Sequence, residues 1–583
     1  MLLRSMVTSM VRLPRIGASI GDWAQTRQEL LLLLAIFVST RLSLLLISRP
    51  QGYFYDASDY DFYLEFGRLS DLGLYPMLHY WTEYPPLFPW VSVAAYQAIA
   101  ALPTLNGSPI LWFRLVLGSL LLVFDVGNLI LIYYLGRAIY PLPQGSRPAW
   151  AYALLFTPLH VWLGWFDTLP LFLLLLSVFL ATKGRYGSAA VASGLGFMVK
   201  VFPILALPAL LKAERHGLSR IKLLAEAALA AALAAAPFLI AAPEYLLASF
   251  RSMISRSPWE TPWAIAEGYF GYGQVAPLQD RLDPSSASFV AYESHLPWPA
   301  ITALFGVVYL LIWTRRFDAR RTSTVVAFAG LTVNLFLLYS KGYSPQFLVY
   351  VVPFALLVLP TMRAVGYLAA LAVINLLEYP IYLAMFHEEH WVLGNLVMSR
   401  TVLLLMMTWD YLAVLGIIPA MERLRKAAAT TVLLALALGG IAAAPTAGQA
   451  WVQASMDYHP NARLIDYLLA NTDSESVVLF SEQWLYRDLY PYLHQHTNLV
   501  LMEPTMDRRV ASSVGAGGSA SGETTDVSDR LSQLSLQYRE IFGVRHVEDR
   551  DGRQLEQLLA ERNHLAAARR MRDLTVSRWS TRP

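Results

Sequence analysis

From Glu29 to Ala444 the chain is a succession of apolar runs separated by short polar connections, and that alternation restricts the fold more than any motif does. About thirteen runs can be read: Glu29–Ser48, Leu111–Gly136, Trp150–Trp165, Leu169–Thr182, Ser188–Val199, Val201–Leu211, Lys222–Ala241, Trp298–Thr314, Thr322–Tyr339, Phe347–Pro360, Ala364–Phe386, Val402–Ile418 and Ala427–Ala444. Several are shorter than the ~20 residues an upright membrane helix needs, so boundaries are soft and neighbours can merge. Backbone in lipid must satisfy its own hydrogen bonds, which makes such runs helices. With 56% hydrophobic and 15% charged residues over 583 positions, a soluble globule is excluded. The expected fold class is an all-α polytopic membrane protein.

The basic residues fall in alternate connections: Arg137 and Arg147; Lys183 and Arg185; Lys212, Arg215, Arg220 and Lys222; Arg315, Arg316, Arg320 and Arg321; Arg363; and Arg423, Arg425 and Lys426. By the positive-inside rule these face the cytoplasm. Residues 1–28, with Arg4, Arg12, Arg15 and Arg27, then also lie inside, and the first apolar run is too long for a signal peptide, so it reads as an uncleaved first span. Tyr84–Leu102 is apolar enough to be counted as a span, but counting it would send Arg137, Arg147, Lys183 and Arg185 outside. Its Pro85, Pro86 and Pro89 also make a poor helix start. It is expected to lie at the interface, within a first outer loop covering residues 49–110. The membrane domain is then 29–444, with the C-terminus outside. A net charge of +3 offers no field for nucleic acid, and the absence of cysteine excludes disulfides, thiolate nucleophiles and Cys-ligated metals.

This arrangement delivers one set of polar residues to the outer face, none of them used to set it. The stretch 53–90 packs Asp56, Asp59 and Asp61 among many aromatic residues, next to Tyr84-Pro85-Pro86. A carboxylate just above the bilayer can act as a general base towards a hydroxyl or bind a divalent metal; a solvated loop is the bland alternative. Asp56 is the first choice as base and Asp59 the second, with Asp61 and Tyr84 as substrate contacts. Arg41, inside the first span, can pair with a phosphate or a carboxylate, or snorkel to the interface. Asp125 and Asn128 fit helix–helix hydrogen bonding. Asp167, at the tip of a tight outer turn, is read with Gln346 as a further substrate contact, surface solvation being the alternative for Asp167. Lys200 and Lys341 stand at outer turns against the charge trend, and anionic lipid phosphate would explain both; Arg251 and Arg256, in the outer loop 242–297, are further phosphate candidates. Gln346 follows Ser344-Pro345 at a helix start. His387-x-x-His390 with Glu388 and Glu389 lacks a metalloprotease spacing, so no metal site is assigned; His387 is read as a substrate contact. No phosphate-binding glycine loop, dinucleotide fingerprint or nucleophile elbow occurs in a credible context. Nor is there a string of intramembrane acids of the kind proton relays use.

After Ala444 the composition turns polar. Asn461–Ala470 reads as a helix, and Val477–Ser481, Leu499–Met502 and Gly543–Val547 read as strands. Residues 445–583 are expected to form a small extracytoplasmic α/β domain, interrupted by a flexible segment at 515–529.

Four features in order resemble the GT-C superfamily of membrane glycosyltransferases, especially the bacterial polyprenol-phosphate-mannose-dependent mannosyltransferases. They are the acidic first outer loop, Tyr84-Pro85-Pro86-Leu87, the turn Gly164-Trp165-Phe166-Asp167, and Lys200-Val201-Phe202-Pro203; Lys341-Gly342-Tyr343-Ser344-Pro345-Gln346 is similar to a further motif of these enzymes. The resemblance covers residues 29–444. It implies a GT-C-like membrane domain and a sugar, mannose or another hexose or pentose, moved from a polyprenyl-phosphate donor to a lipid, glycan or protein acceptor at the outer face of the cytoplasmic membrane. It also implies inversion at the anomeric carbon, an acid of the first outer loop (Asp56, then Asp59) as base, and Arg41, Lys200 and Lys341 on the departing phosphate. No cofactor is implied; a divalent metal is possible but not favoured. The acids here read DxxDxD where the family carries DD or DxD, which leaves their assignment open. Two other classes fit the composition: an O-antigen-type glycan ligase or polymerase, leaning on Arg251, Arg256 or His387, and a non-enzymatic lipid or polysaccharide transporter.

Overall fold

The computed structural model describes residues 20–47, 58–99, 102, 110–386, 389–419, 422–456, 461–494, 496–502, 527–546, 549–571 and 574–581. Asp56 and His387 lie outside the described residues. So does most of the segment expected to be flexible, although its last three residues open the helix Val527–Gln537.

Among the described residues seven helices are long and apolar enough to cross a membrane: Arg27–Ile47, Ile110–Ile139, Gly217–Ala241, Thr322–Tyr339, Thr361–Tyr379, His390–Val414 and Arg425–Pro445. Five shorter apolar helices accompany them, including Leu87–Ile99 and Thr168–Thr182. The chain is a multi-pass membrane protein. Leu87–Ile99, at 13 residues, rises about 20 Å and is too short to span upright.

Where the observed helices depart from the apolar runs, proline is the usual cause. The run Trp150–Trp165 is two helices, Arg147–Leu154 and Phe156–Gly164, with Leu155 extended between them. Pro158 has no N–H for the carbonyl of Leu154, and its ring would clash there. Helix Tyr186–Phe197 is followed by the 3-10 turns Phe202–Ala206 and the helix Leu207–Ala213, which open on Pro203 and Pro208. Helix Thr361–Leu376 passes into a wide-turned segment, Leu377–Phe386, kinked at Tyr379, the residue before Pro380. The last membrane helix runs from Glu422 to Met456, so the boundary expected at residue 445 falls inside a helix.

The bundle is locked internally by polar pairs. The Arg41 Nε donates to Asp125 Oδ2 at 2.7 Å, Tyr152 Oη donates to Asp125 Oδ1 at 2.6 Å, and the guanidinium lies 3.4 Å from the centre of the Phe37 ring. Of the roles open to Arg41, the structure shows the carboxylate pair. A bare charge in this apolar setting needs a partner, and Asp125 on the neighbouring helix supplies one at its Nε. Asn128 donates to the carbonyl of Thr168 at 3.0 Å, as expected for helix–helix bonding.

The C-terminal domain is a five-stranded sheet ordered β2-β1-β3-β5-β4, with β1 at Ser476–Phe480, β2 at Asn498–Leu501, β3 at Glu540–His546, β4 at His564–Met571 and β5 at Leu574–Ser580. β1 runs parallel to β2 and β3, and β5 runs antiparallel to β3 and β4. Alternation along the strands feeds two cores. Val478, Phe480, Phe542 and Val544 pack under helices Ala462–Asn471 and Gln483–Leu493, while Val477, Leu479 and Ile541 pack under Val527–Gln537 and Arg550–Ala560. Three of the strands lie where the sequence puts them; the hairpin 564–580 was not expected, because HLAAARRM carries no apolar alternation.

A candidate active site at Asp59, Asp167 and Lys200

Asp59 precedes helix Tyr60–Asp71, and its backbone N–H donates to the carbonyl of Gly164 at 3.0 Å. That bond ties the start of the acidic stretch to the turn Trp165-Phe166-Asp167. The Asp59 side chain does not cap its own helix; Oδ2 accepts from Tyr63 Oη at 3.3 Å. The residue is half-buried. Burial first, and the Glu83 carboxylate next, push its pKa up to about 7, with Asp167 adding to the rise while Lys200 and the Tyr63 hydroxyl pull it back. A carboxylate poised near neutrality is suited to take a proton from a hydroxyl and release it again.

Asp167 opens helix Thr168–Thr182 and is fully buried. Its Oδ1 accepts from Lys200 Nζ and from Tyr350 Oη, both at 2.6 Å, while Oδ2 has no hydrogen-bond partner among the described residues. A buried acceptor left open in this way is a ready contact for a substrate hydroxyl. Lys200 reaches Asp167 because the chain turns back sharply after Phe197. A Cβ on Gly196 would lie 2.4 Å from Pro203 Cβ, so only glycine permits that approach. The ammonium sits 4.8 Å from the Phe166 ring centre, 5.0 Å from Phe347 and 5.9 Å from Tyr84. Tyr63, Tyr84, Phe88 and Phe166 pack edge to face around it, with Phe88 and Phe166 stacked.

The outer loop 242–297 closes the site. Arg281, almost fully buried, pairs with Glu83 and lies between the rings of Phe62 and Trp81. The Nε and Nη2 of Arg256 are buried and have no hydrogen-bond partner among the described residues, and its charge acts on Tyr84. Among the described residues no group of His, Asp and Glu could hold a metal ion. The cation nearest the carboxylates is Lys200.

The structure thus gathers Asp59, Tyr84, Asp167, Lys200 and Arg256. Asp61 lies one position into helix Tyr60–Asp71, and Gln346 sits beside Phe347 in the 3-10 segment Pro345–Tyr350; both are partly buried. Arg251 is exposed on helix Pro243–Ser255. Lys341 is occupied: its Nζ donates to the carbonyls of Ile254 at 3.0 Å and Arg256 at 3.4 Å. His390 stacks on Phe270 at 4.3 Å. Four residues were missed. Tyr63 could have been found, since it stands four residues after Asp59 on one helix face, and Glu83 stood in the acidic stretch. Arg281 and Tyr350 arrive from distant segments and left no local signal. Replacing Lys200 by methionine removes the one charge that favours Asp59 ionised. The midpoint of the pH–rate profile is therefore expected to move above about 7, measured as kcat/KM against pH.

Residues 81–340 match the model for glycosyltransferase family 87, a range that includes Glu83, Tyr84, Asp167, Lys200, Arg256 and Arg281. No curated protein sequence matches the chain. Among solved structures, ArnT from Cupriavidus metallidurans bound to undecaprenyl phosphate is similar at 15% identity and a TM-score of 0.42, covering 94% of this chain and 97% of that one.

Proposed function

We propose that this chain is a membrane glycosyltransferase of the GT-C type, transferring a hexose or pentose from a polyprenyl-phosphate donor to a lipid, glycan or protein acceptor at the outer face of the cytoplasmic membrane; the match of residues 81–340 to glycosyltransferase family 87 supports this reading. The observation that carries the reading is a carboxylate poised near neutrality, Asp59, together with Arg256, whose Nε and Nη2 are buried without a hydrogen-bond partner among the described residues, both acting on Tyr84. A lipid-linked donor keeps its tail in the bilayer and needs polar and aromatic groups at the boundary, which residues following the first apolar helix would supply.

In the step proposed, Asp59 takes the acceptor hydroxyl proton as that oxygen forms its bond to the anomeric carbon. The bond from this carbon to the phosphate oxygen breaks on the opposite face, so the configuration inverts. The polyprenyl phosphate leaves with the bonding electron pair, and Arg256 meets its added negative charge. Asp59 then returns its proton to water. Asp167 Oδ2 accepts a hydrogen bond from a sugar hydroxyl, Lys200 holds Asp167, and Tyr84 and Phe166 supply the apolar wall. The charge on Lys200 serves the acidic centre. The outer-face assignment is supported by the alternation of the basic connections along the chain.

The test is sugar transfer by the full chain in lipid nanodiscs, using polyprenyl-phosphate mannose, glucose and arabinose beside a polyprenyl-diphosphate oligosaccharide. Transfer from a monophosphate donor is the expected result. Transfer from the diphosphate alone would identify a ligase, and translocation without transfer a transporter. Arg256→Gln is expected to raise the donor KM about 10- to 150-fold, the equivalent of one charge-assisted hydrogen bond, with the acceptor KM unchanged.

A further inference from the structure

We propose that Lys341 and Arg400 are positioning residues for sugar transfer: they clamp the strap 254–261 to the membrane bundle and so hold Arg256 at the departing phosphate. This rests on the reading of Arg256 as the phosphate contact. The guanidinium of Arg256 has buried nitrogens without partners, so no side-chain bond at those nitrogens orients it. Its direction is set by its backbone and by the Trp259 ring, 5.4 Å away.

That backbone is stitched to the motif Lys341-Gly342-Tyr343-Ser344. Lys341 Nζ donates to the carbonyls of Ile254 and of Arg256 itself. The Trp259 N–H donates to the Lys341 carbonyl at 3.2 Å, and the Tyr343 N–H returns to the Trp259 carbonyl at 3.1 Å. Thr261 Oγ1 donates to the same Lys341 carbonyl at 3.0 Å. A Cβ at Gly342 would fall 2.1 Å from the Trp259 ring, so the approach requires glycine. The far end is held from the bundle. Arg400, 2% exposed, donates to the carbonyl of Glu260, pairs with Glu378, and lies 3.6 Å over the Tyr343 ring. Glu260 has φ +50°, a left-handed conformation that a non-glycine residue keeps only when its surroundings enforce it. Arg400 grips the strap at that residue. The cation at Lys341, which the sequence suggests for phosphate, thus acts one step back, through Arg256.

The experiment measures donor and acceptor kinetics of the full chain in nanodiscs, together with amide hydrogen exchange. Lys341→Met is expected to raise the donor KM at least ~10-fold with kcat within ~3-fold, because an ångström of misplacement is enough for losses of this size. Lys341→Arg is expected to restore it, and amide exchange at Trp259 and Tyr343 to quicken in Lys341→Met but not in Lys341→Arg. Arg400→Gln gives a second, independent release of the strap with the same signature. The double variant Arg256→Gln/Lys341→Met is expected to be no worse than Arg256→Gln. If the two substitutions instead multiply, Lys341 does not act through Arg256 and the proposal is overturned. A wild-type donor KM in Arg256→Gln would overturn the phosphate reading itself, a separate outcome.

Discussion

Asp59→Asn is expected to lower sugar transfer roughly 10²- to 10⁴-fold, the usual contribution of a positioned general base. The amide matches the carboxylate in shape, leaves the Asp59 backbone bond to Gly164 intact, and can still meet the Tyr63 hydroxyl. What it cannot do is accept a proton. The pH dependence supplies the second half of the test. Asp59 is protonated below about 7 and ionised above it, so wild-type kcat/KM is expected to rise about tenfold per pH unit towards 7 and then level. The asparagine variant is expected to lose that limb. Retention of both rate and limb would move the base elsewhere in the first loop, with Asp56→Asn as the next variant.

Arg41→Met is expected to cost about 3–5 kcal/mol of stability while leaving the donor KM unchanged, because it strands the Asp125 carboxylate in the apolar bundle. Tyr152 still donates to Asp125 Oδ1, but Oδ2 loses its partner. The double change Arg41→Met with Asp125→Leu is expected to recover much of the loss, since apolar replacement of a whole buried pair is often neutral. Thermal unfolding in detergent reads the first quantity and donor kinetics the second. A raised donor KM with unchanged stability would return Arg41 to the phosphate.

The two results bear on how charge in a membrane chain is read. Arg41 and Lys200 look alike in sequence: single cations beside apolar runs that demand a reason. The structure gives each a carboxylate partner, Asp125 and Asp167, and neither pairing was deducible, because the partners are 84 and 33 residues away and depend on which helices touch. Lys341 shows the same limit, since its ligands are backbone carbonyls of another loop and no side-chain pattern announces them. Between Asp56 and Asp59 the sequence favours the residue nearer the end of the first helix; Asp56 lies outside the described residues, and of Asp59 the structure shows that Gly164 and Tyr63 hold it and that the charge of Lys200 acts on it.

The chain by itself determined that it lives in a membrane as helices, because runs of apolar residues leave lipid-exposed backbone no other way to satisfy its hydrogen bonds. It marked two of the places where those helices break, Pro158 and Pro380, because proline lacks a donor and restricts the residue before it, although Pro237 and Pro445 stand inside continuous helices. It also marked the acidic aromatic stretch as a site, since so many carboxylates beside apolar helices require a purpose. Only the tertiary structure decided which carboxylate is tuned. The pKa of Asp59 is the sum of burial, Glu83, Asp167, Lys200 and Tyr63, and apart from Tyr63 these terms come from contacts that local spacing does not encode. The proposal for the phosphate side rests on the same kind of contact: Arg256 stands out among the loop cations because the fold buries its Nε and Nη2 and gives them no hydrogen-bond partner among the described residues.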